Sequence, residues 1–199
     1  MTTVTQFDRR EALHHGRRMS ADEYFRLVDD GYRYELIEGV VCMSPSPTPK
    51  HQKLIVLIAT QIETFLESQP IGHVFVEVDV DLGPGTEGKD LVYRPDVVFT
   101  RAVPAAPIPD RIVGGADLVV EIISDTSRRY DSETKKADYE RAGVAEYWLI
   151  DPERSAMTFF QLVDGRFVEM TPDGDKLLSK AVDGFTLDLA RIRRAFRGA

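Results

Sequence analysis

Cysteine is almost absent: Cys42 is the only one among 199 residues. The chain therefore has no internal disulfide framework, and a cysteine-built zinc site or iron–sulfur cluster would need ligands from elsewhere. Long hydrophobic runs are missing too. The longest, about Leu54 to Ala59, falls far short of the roughly 18 residues that span a bilayer, so no membrane partner is expected. Residues 1–20 are polar and carry no apolar stretch, which argues against a secretory signal and makes a cytoplasmic location the expectation. Internal repeats and low-complexity tracts are lacking as well.

Positive charge is in short supply. Lys plus Arg is 25 against 33 for Asp plus Glu, a net charge of −8. Residues 1–18 carry +2 and residues 191–199 carry +4, so the body between them carries −14. Such a body is a poor non-specific binder of nucleic acid, because that binding rests on neutralising phosphates. Basic ends or a bound cation offset this locally, since screening confines the repulsion to about 8 Å.

What is present fits one soluble domain. Hydrophobic residues at 43% are enough for a self-sufficient core at this length. A polar, Arg-rich lead covers 1–18, the domain covers 19–190, and a basic tail covers 191–199. Ser20 with Glu23 forms a capping box opening a helix that runs to about Gly31. Tyr32–Met43 reads as a strand, broken by a bulge or turn at Gly39. Thr48 and Pro49 start a long helix to about Ser68, whose apolar stripe Leu54, Ile55, Ile58, Ile62, Phe65 and Leu66 packs on a sheet. Strands follow at 73–82, 91–100 and 117–124, with GPGTEG (83–88) as a turn. A helix over 131–142 is closed by Gly143, a strand covers 146–151, and a hairpin covers 155–170 with its turn at Asp164-Gly165. Ser124, Asp125 and Thr126 terminate the 117–124 strand. The fold class is α/β, a sandwich of helices around a mixed sheet.

Two carboxylates interrupt apolar strands. Asp96 shares a face with Val92, Arg94 and Val98, and Glu121 shares one with Val119 and Ile123. Burying an unpaired carboxylate costs several kcal/mol. On neighbouring strands the two would approach to about 4 Å and repel by roughly 4 kcal/mol, a penalty that a divalent cation turns into a binding site. The alternative is neutralisation by arginine, Arg94 on Asp96 and another on Glu121. Lys135 shares a helical face with Asp131, Tyr139 and Ala142 and is the better candidate to point at the carboxylates, whereas Lys136, near Glu133 and Glu140, reads as surface. Glu35 and Glu38 fall on opposite faces of the 32–43 strand, and either one is a candidate third carboxylate. His51, on the stripe with Ile55 and Ile58, is either a half-buried packing histidine or a polar group offered from the helix N-terminus.

In order and spacing, Tyr34-Glu35-Leu36-Ile37-Glu38-Gly39, Pro49-x-His51, Arg94-Pro95-Asp96-Val97, Val119-Val120-Glu121-Ile122-x-Ser124, Asp131-x3-Lys135-x3-Tyr139-x3-Gly143-Val144-x-Glu146-Tyr147-Trp148 and Asp151-Pro152 resemble the Uma family of restriction-endonuclease-like proteins. The resemblance implies a PD-(D/E)xK nuclease core, αβββαβ, with a mixed central sheet flanked by helices, an added N-terminal helix and strand, and a C-terminal hairpin. It implies a Mg²⁺ site that Mn²⁺ also fills, with Pro95-Asp96 as the PD and Glu121 as the second acid. Isoleucine (Ile123) stands where lysine is expected, and the lysine is displaced to the next helix as Lys135. Glu35, Glu38 and His51 match further family positions. The implied activity is endonucleolytic hydrolysis of DNA phosphodiester bonds. DNA is then the partner, its affinity leaning on the cation, the arginine-rich ends, or a homodimer that assembles a groove. Ile123 and the net negative charge motivate an alternative, a catalytically inactive nuclease-like binding or assembly module. A third option is a metal-dependent hydrolase of another phosphoester.

Overall fold

Thr48 and Pro49 begin the longest helix as their chemistry directs. The Thr48 hydroxyl accepts the His51 amide at 3.2 Å, and Pro49 occupies the first helical position, where a missing N–H costs nothing. The computed structural model describes residues 12–103, 107–124 and 127–197. Its elements begin with α1 (Ala21–Tyr24), β1 (Tyr34–Ile37), β2 (Val40–Met43), α2 (Pro49–Ser68), β3 (Gly72–Val76), β4 (Val80–Pro84), β5 (Asp90–Tyr93), β6 (Val97–Arg101), β7 (Ile112–Val113) and β8 (Leu118–Ile122). A π-helical turn (Tyr130–Lys135) then leads into α3 (Lys136–Ala142), followed by β9 (Glu146–Asp151), β10 (Ala156–Val163), β11 (Arg166–Met170), β12 (Lys176–Leu178), β13 (Thr186–Asp188) and α4 (Leu189–Phe196).

A six-stranded sheet runs β11-β10-β9-β8-β6-β3 and a five-stranded sheet runs β2-β1-β5-β4-β7. The larger sheet is mixed, with β8 and β9 parallel and its other pairs antiparallel. In chain order α2, β3, β6, β8, α3 and β9 make the expected αβββαβ core. One face of this sheet buries Val97, Phe99, Val120 and Trp148 beneath α2 and α4. The opposite face buries Val98, Val119 and Tyr147 against α3 and the five-stranded sheet, through Tyr139, Val80 and Leu91. Tyr147 and Trp148 are both core residues, fully buried.

Residues 72–101 form a single hairpin whose two legs both bend. β3 pairs with β6 up to Val76↔Val97, and β4 resumes pairing with β5 at Val80↔Tyr93. Each run expected as one strand is therefore two, shared between the sheets. The breaks face each other, at Glu77 (φ 53) on one leg and around Pro95, which has no N–H to give a ladder, on the other.

Three further local expectations change. The 32–43 strand is a hairpin, β1 with β2, because Glu38 and Gly39 both take positive φ (48 and 70) and close a two-residue turn. The first helix is one turn long despite its intact capping box. The helix of 131–142 opens in π winding from Tyr130, with Gly143 left-handed at its end (φ 82). Of the lead, residues 1–11 lie outside the described residues; Ala12 and His14 are buried and the Gly16 amide donates to the Val41 carbonyl at 2.7 Å. The expected basic tail falls largely on α4, whose Ile192, Ala195 and Phe196 are buried. Asp125 and Thr126 lie outside the described residues. Among the described residues no helix is long and apolar enough to cross a membrane.

Candidate active site

β6 starts directly after Asp96 and β8 ends one residue after Glu121, and their antiparallel register, Val97↔Val120, sets the two acids side by side. Asp96 Oδ2 accepts the Ile122 amide at 2.6 Å and lies 3.3 Å from His51 Nε2, which the first turn of α2 supplies. Among the described residues no arginine pairs with either acid. Arg94 forks onto Asp79 instead, Nε to Oδ1 at 2.7 Å and Nη2 to Oδ2 at 2.9 Å. Glu121 Oε1 accepts from Lys135 Nζ at 2.9 Å and from the Tyr139 hydroxyl at 2.7 Å.

Lys135 is the hub. Its Nζ also donates to Glu35 Oε1 at 2.8 Å and stands 3.9 Å from Asp131 Oδ1, with 7% of its side chain exposed. Asp131, Lys135 and Tyr139 are four residues apart, which puts them on one helical face over β8. The ammonium lies over the Tyr93 and Tyr130 rings, 5.2 and 5.9 Å from their centroids. Glu35 also accepts the Arg94 amide at 3.0 Å, which ties β1 to the bend before β6.

Of the two candidate third carboxylates, Glu35 joins the cluster and Glu38 does not. Glu38 sits in the β1–β2 turn, where Oε1 accepts the Thr86 amide and hydroxyl at 2.8 and 3.0 Å. It caps the 85–88 turn. A two-residue hairpin turn breaks the alternation of a continuous strand, so Glu35 shares its face with its cross-strand partner Cys42. Lys136 is half-buried and lies over the Phe160 ring at 4.0 Å, while Glu133 and Glu140 pair with Arg129 and Arg166.

The cluster carries more negative than positive charge. Burial would strip the Lys135 proton, but Glu121, Glu35 and Asp131 outweigh it and hold its pKa well above the ordinary value. Burial pushes Glu121 well above the usual carboxylate range, with Lys135 opposing and Asp131, Asp96 and Glu35 adding to the rise. Burial likewise raises Asp131 to about 6, against the pull of Lys135. Burial disfavours charge on His51, yet its bond to Asp96, with Glu77 and the Ile122 backbone oxygen near, leaves the imidazole pKa raised. These groups line a groove of about 750 Å³, walled by the 44–48 segment on one side and by Pro152 and Glu153 on the other. Lys50 links the walls, its Nζ 3.0 Å from Glu153 Oε1.

The donor set fits a hard divalent cation. Asp96 Oδ1 and Glu121 Oε2 take no hydrogen bond among the described residues, and His51 Nδ1 is buried without a partner. Among the described residues no three His, Cys, Asp or Glu side chains are grouped as a metal cage. Two carboxylates completed by water and substrate phosphate are the usual arrangement for Mg²⁺, whereas Zn²⁺ prefers a closed protein cage in structural sites. The roles of Tyr93 and Tyr130, flanking the ammonium, were not legible from spacing; their signal is aromatic chemistry beside a buried cation. Tyr139 was legible as the residue four after Lys135.

A family model described as "Putative restriction endonuclease" (Uma2) matches residues 21–190. A crystal structure titled a putative nuclease belonging to DUF820, from Anabaena variabilis ATCC 29413, is similar in fold, with a TM-score of 0.72 at 18% identity over 89% of this chain and 99% of that one. A search of curated proteins finds no match.

Proposed function

The chain belongs to the Uma2 family, and from that premise we propose that it is a Mg²⁺-dependent endonuclease hydrolysing DNA phosphodiester bonds. The observation that carries this reading is the convergence of Asp96, Glu121 and Lys135 at the floor of one groove. Asp96 and Glu121 would hold the cation through the oxygens they leave free. A bound Mg²⁺ supplies Lewis acidity to the scissile phosphate and lowers the pKa of the attacking water. Lys135, whose Nζ donates to Glu35 and Glu121 beside the proposed cation site, would orient the attacking water and steady the negative charge that grows on the phosphoryl oxygens. Glu35 and Tyr139 fix the ammonium and the Glu121 carboxylate in place. His51 holds Asp96 by its Nε2.

The test is nicking of supercoiled plasmid with and without Mg²⁺. Asp96→Ala and Glu121→Ala should each lower the rate by about 100-fold or more. Absence of nicking by the wild-type protein, or nicking by both variants at the wild-type rate, overturns the reading.

A second reading, a nuclease-like binding module without catalysis, gains an observation beside Ile123 and the net negative charge: Lys135 and Tyr139 both occupy Glu121 Oε1. Titration calorimetry separates the two, since no Mg²⁺ or Mn²⁺ binding at millimolar concentration favours the module.

A further inference from the structure

Resting on the nucleic-acid reading above, we propose that the outward face of α4 is a docking surface for the phosphate backbone of duplex DNA. The helix divides into two halves. Leu189, Ile192, Ala195 and Phe196 are buried, while Arg191, Arg193, Arg194 and Arg197 are exposed. At about 100° per residue the two sets fall on opposite sides of the helix. The apolar half is consumed in the core shared with α2, so no apolar face remains to enter a lipid surface. What faces outward is charge.

Three of these arginines, Arg191, Arg194 and Arg197, form no ion pair among the described residues. Arg33, Arg94, Arg111, Arg141 and Arg166 each hold a carboxylate, as a chain with 33 acidic and 25 basic residues would lead one to expect. On α4 only Arg193 is held this way, by Asp175. Among the described residues no carboxylate lies within 4.0 Å of the Arg191, Arg194 or Arg197 side-chain nitrogens. In a body of net charge −14 over residues 19–190, three neighbouring cations without a paired acid make an edge that attracts a polyanion.

The spacing suits a duplex. Arg191, Arg194 and Arg197 extend over about 9 Å of helix, and the same length of duplex axis carries about five phosphate charges. The helix is fixed to α2, where the Asp188 amide donates to Gln61 Oε1 at 2.8 Å. Gln61 lies about 15 Å along α2 from His51 at the groove, roughly half a turn of duplex.

The experiment uses the full chain in EDTA, so that binding is read without cleavage. Anisotropy of a short labelled duplex is measured across a salt series. The Arg191→Gln/Arg194→Gln/Arg197→Gln variant should lose at least tenfold in affinity at low salt, and its slope of log K against log salt should be shallower by about 2–3. Arg194→Gln alone should flatten the slope by about 0.9, which keeps the test open if the triple variant does not fold. Equal binding by wild type and variants overturns the proposal, as does a wild type that ignores duplex at about 50 mM salt. Arginine-dependent binding to phosphatidylserine vesicles, or arginine-dependent self-association, in place of duplex binding also overturns it. Plasmid nicking is scored separately: no nicking with arginine-dependent duplex binding intact defeats the endonuclease reading and leaves this surface standing.

Discussion

Glu35 and Lys135 are 100 residues apart in sequence, and the Nζ of one meets the Oε1 of the other at 2.8 Å. The pair joins the five-stranded sheet to the helix that crosses between β8 and β9. It is buried on both sides, with side-chain exposures of 10% and 7%. A charge so placed is retained only because its neighbours need it.

Lys135→Met should therefore cost more than any surface substitution. It leaves Glu35, Glu121 and Asp131 gathered around an apolar chain, and breaking a buried pair in this way costs about 3–5 kcal/mol. Urea unfolding measures the loss. Adding Glu35→Gln to Lys135→Met should restore part of the stability, a coupling read from the double-mutant cycle.

Asp131 gives the chain a pH signature. Its folded pKa is raised to about 6 from an unfolded 3.8, chiefly by burial, so the neutral acid is the form the fold prefers. The stability this group confers is complete below about pH 4 and is lost as pH rises through about 6. Asp131→Asn keeps the neutral state, so its stability relative to wild type should rise by up to about 3 kcal/mol across that window. Chemical denaturation at several pH values checks it, and parallel pH curves for the two proteins would contradict it.

Glu146 is a structural acid remote from the cluster. Its two oxygens accept Trp148 Nε1 (2.7 Å), the Ser179 hydroxyl (2.8 Å) and the Lys180 and Ala181 amides (2.8 and 2.7 Å). An amide in its place turns one acceptor into a donor facing donors. Glu146→Gln should destabilise by about 2–4 kcal/mol. Trp148 is the sole tryptophan, so its fluorescence reports the transition directly.

Gly115 has no room for a side chain. A Cβ there would stand 2.5 Å from the Ala142 carbonyl oxygen and 2.8 Å from the Gly143 carbonyl carbon. Backbone yields poorly, so Gly115→Ala should cost about 1–3 kcal/mol and push on the end of α3, seen as a lowered Tm.

Much of the site was readable because its parts lie on regular elements. The Asp131, Lys135 and Tyr139 spacing names one helical face, and it selected Lys135 over Lys136 without coordinates. The long helix starts and stops where Thr48, Pro49 and Ser68 place it. What the sequence hid was parity. Glu38-Gly39 is not among the common two-residue turn pairs, so the hairpin passed for a strand and the choice between Glu35 and Glu38 stayed open. The bends at Glu77 and Pro95 were hidden for a related reason: alternation continues across them, although the two halves enter different sheets.

That doubly bent hairpin has a mechanical meaning. The same two peptide segments run through both layers, so the layers cannot slide past one another without unpairing β3 from β6 or β4 from β5. Asp96 sits where one of these legs kinks, so the acid is held by both layers at once.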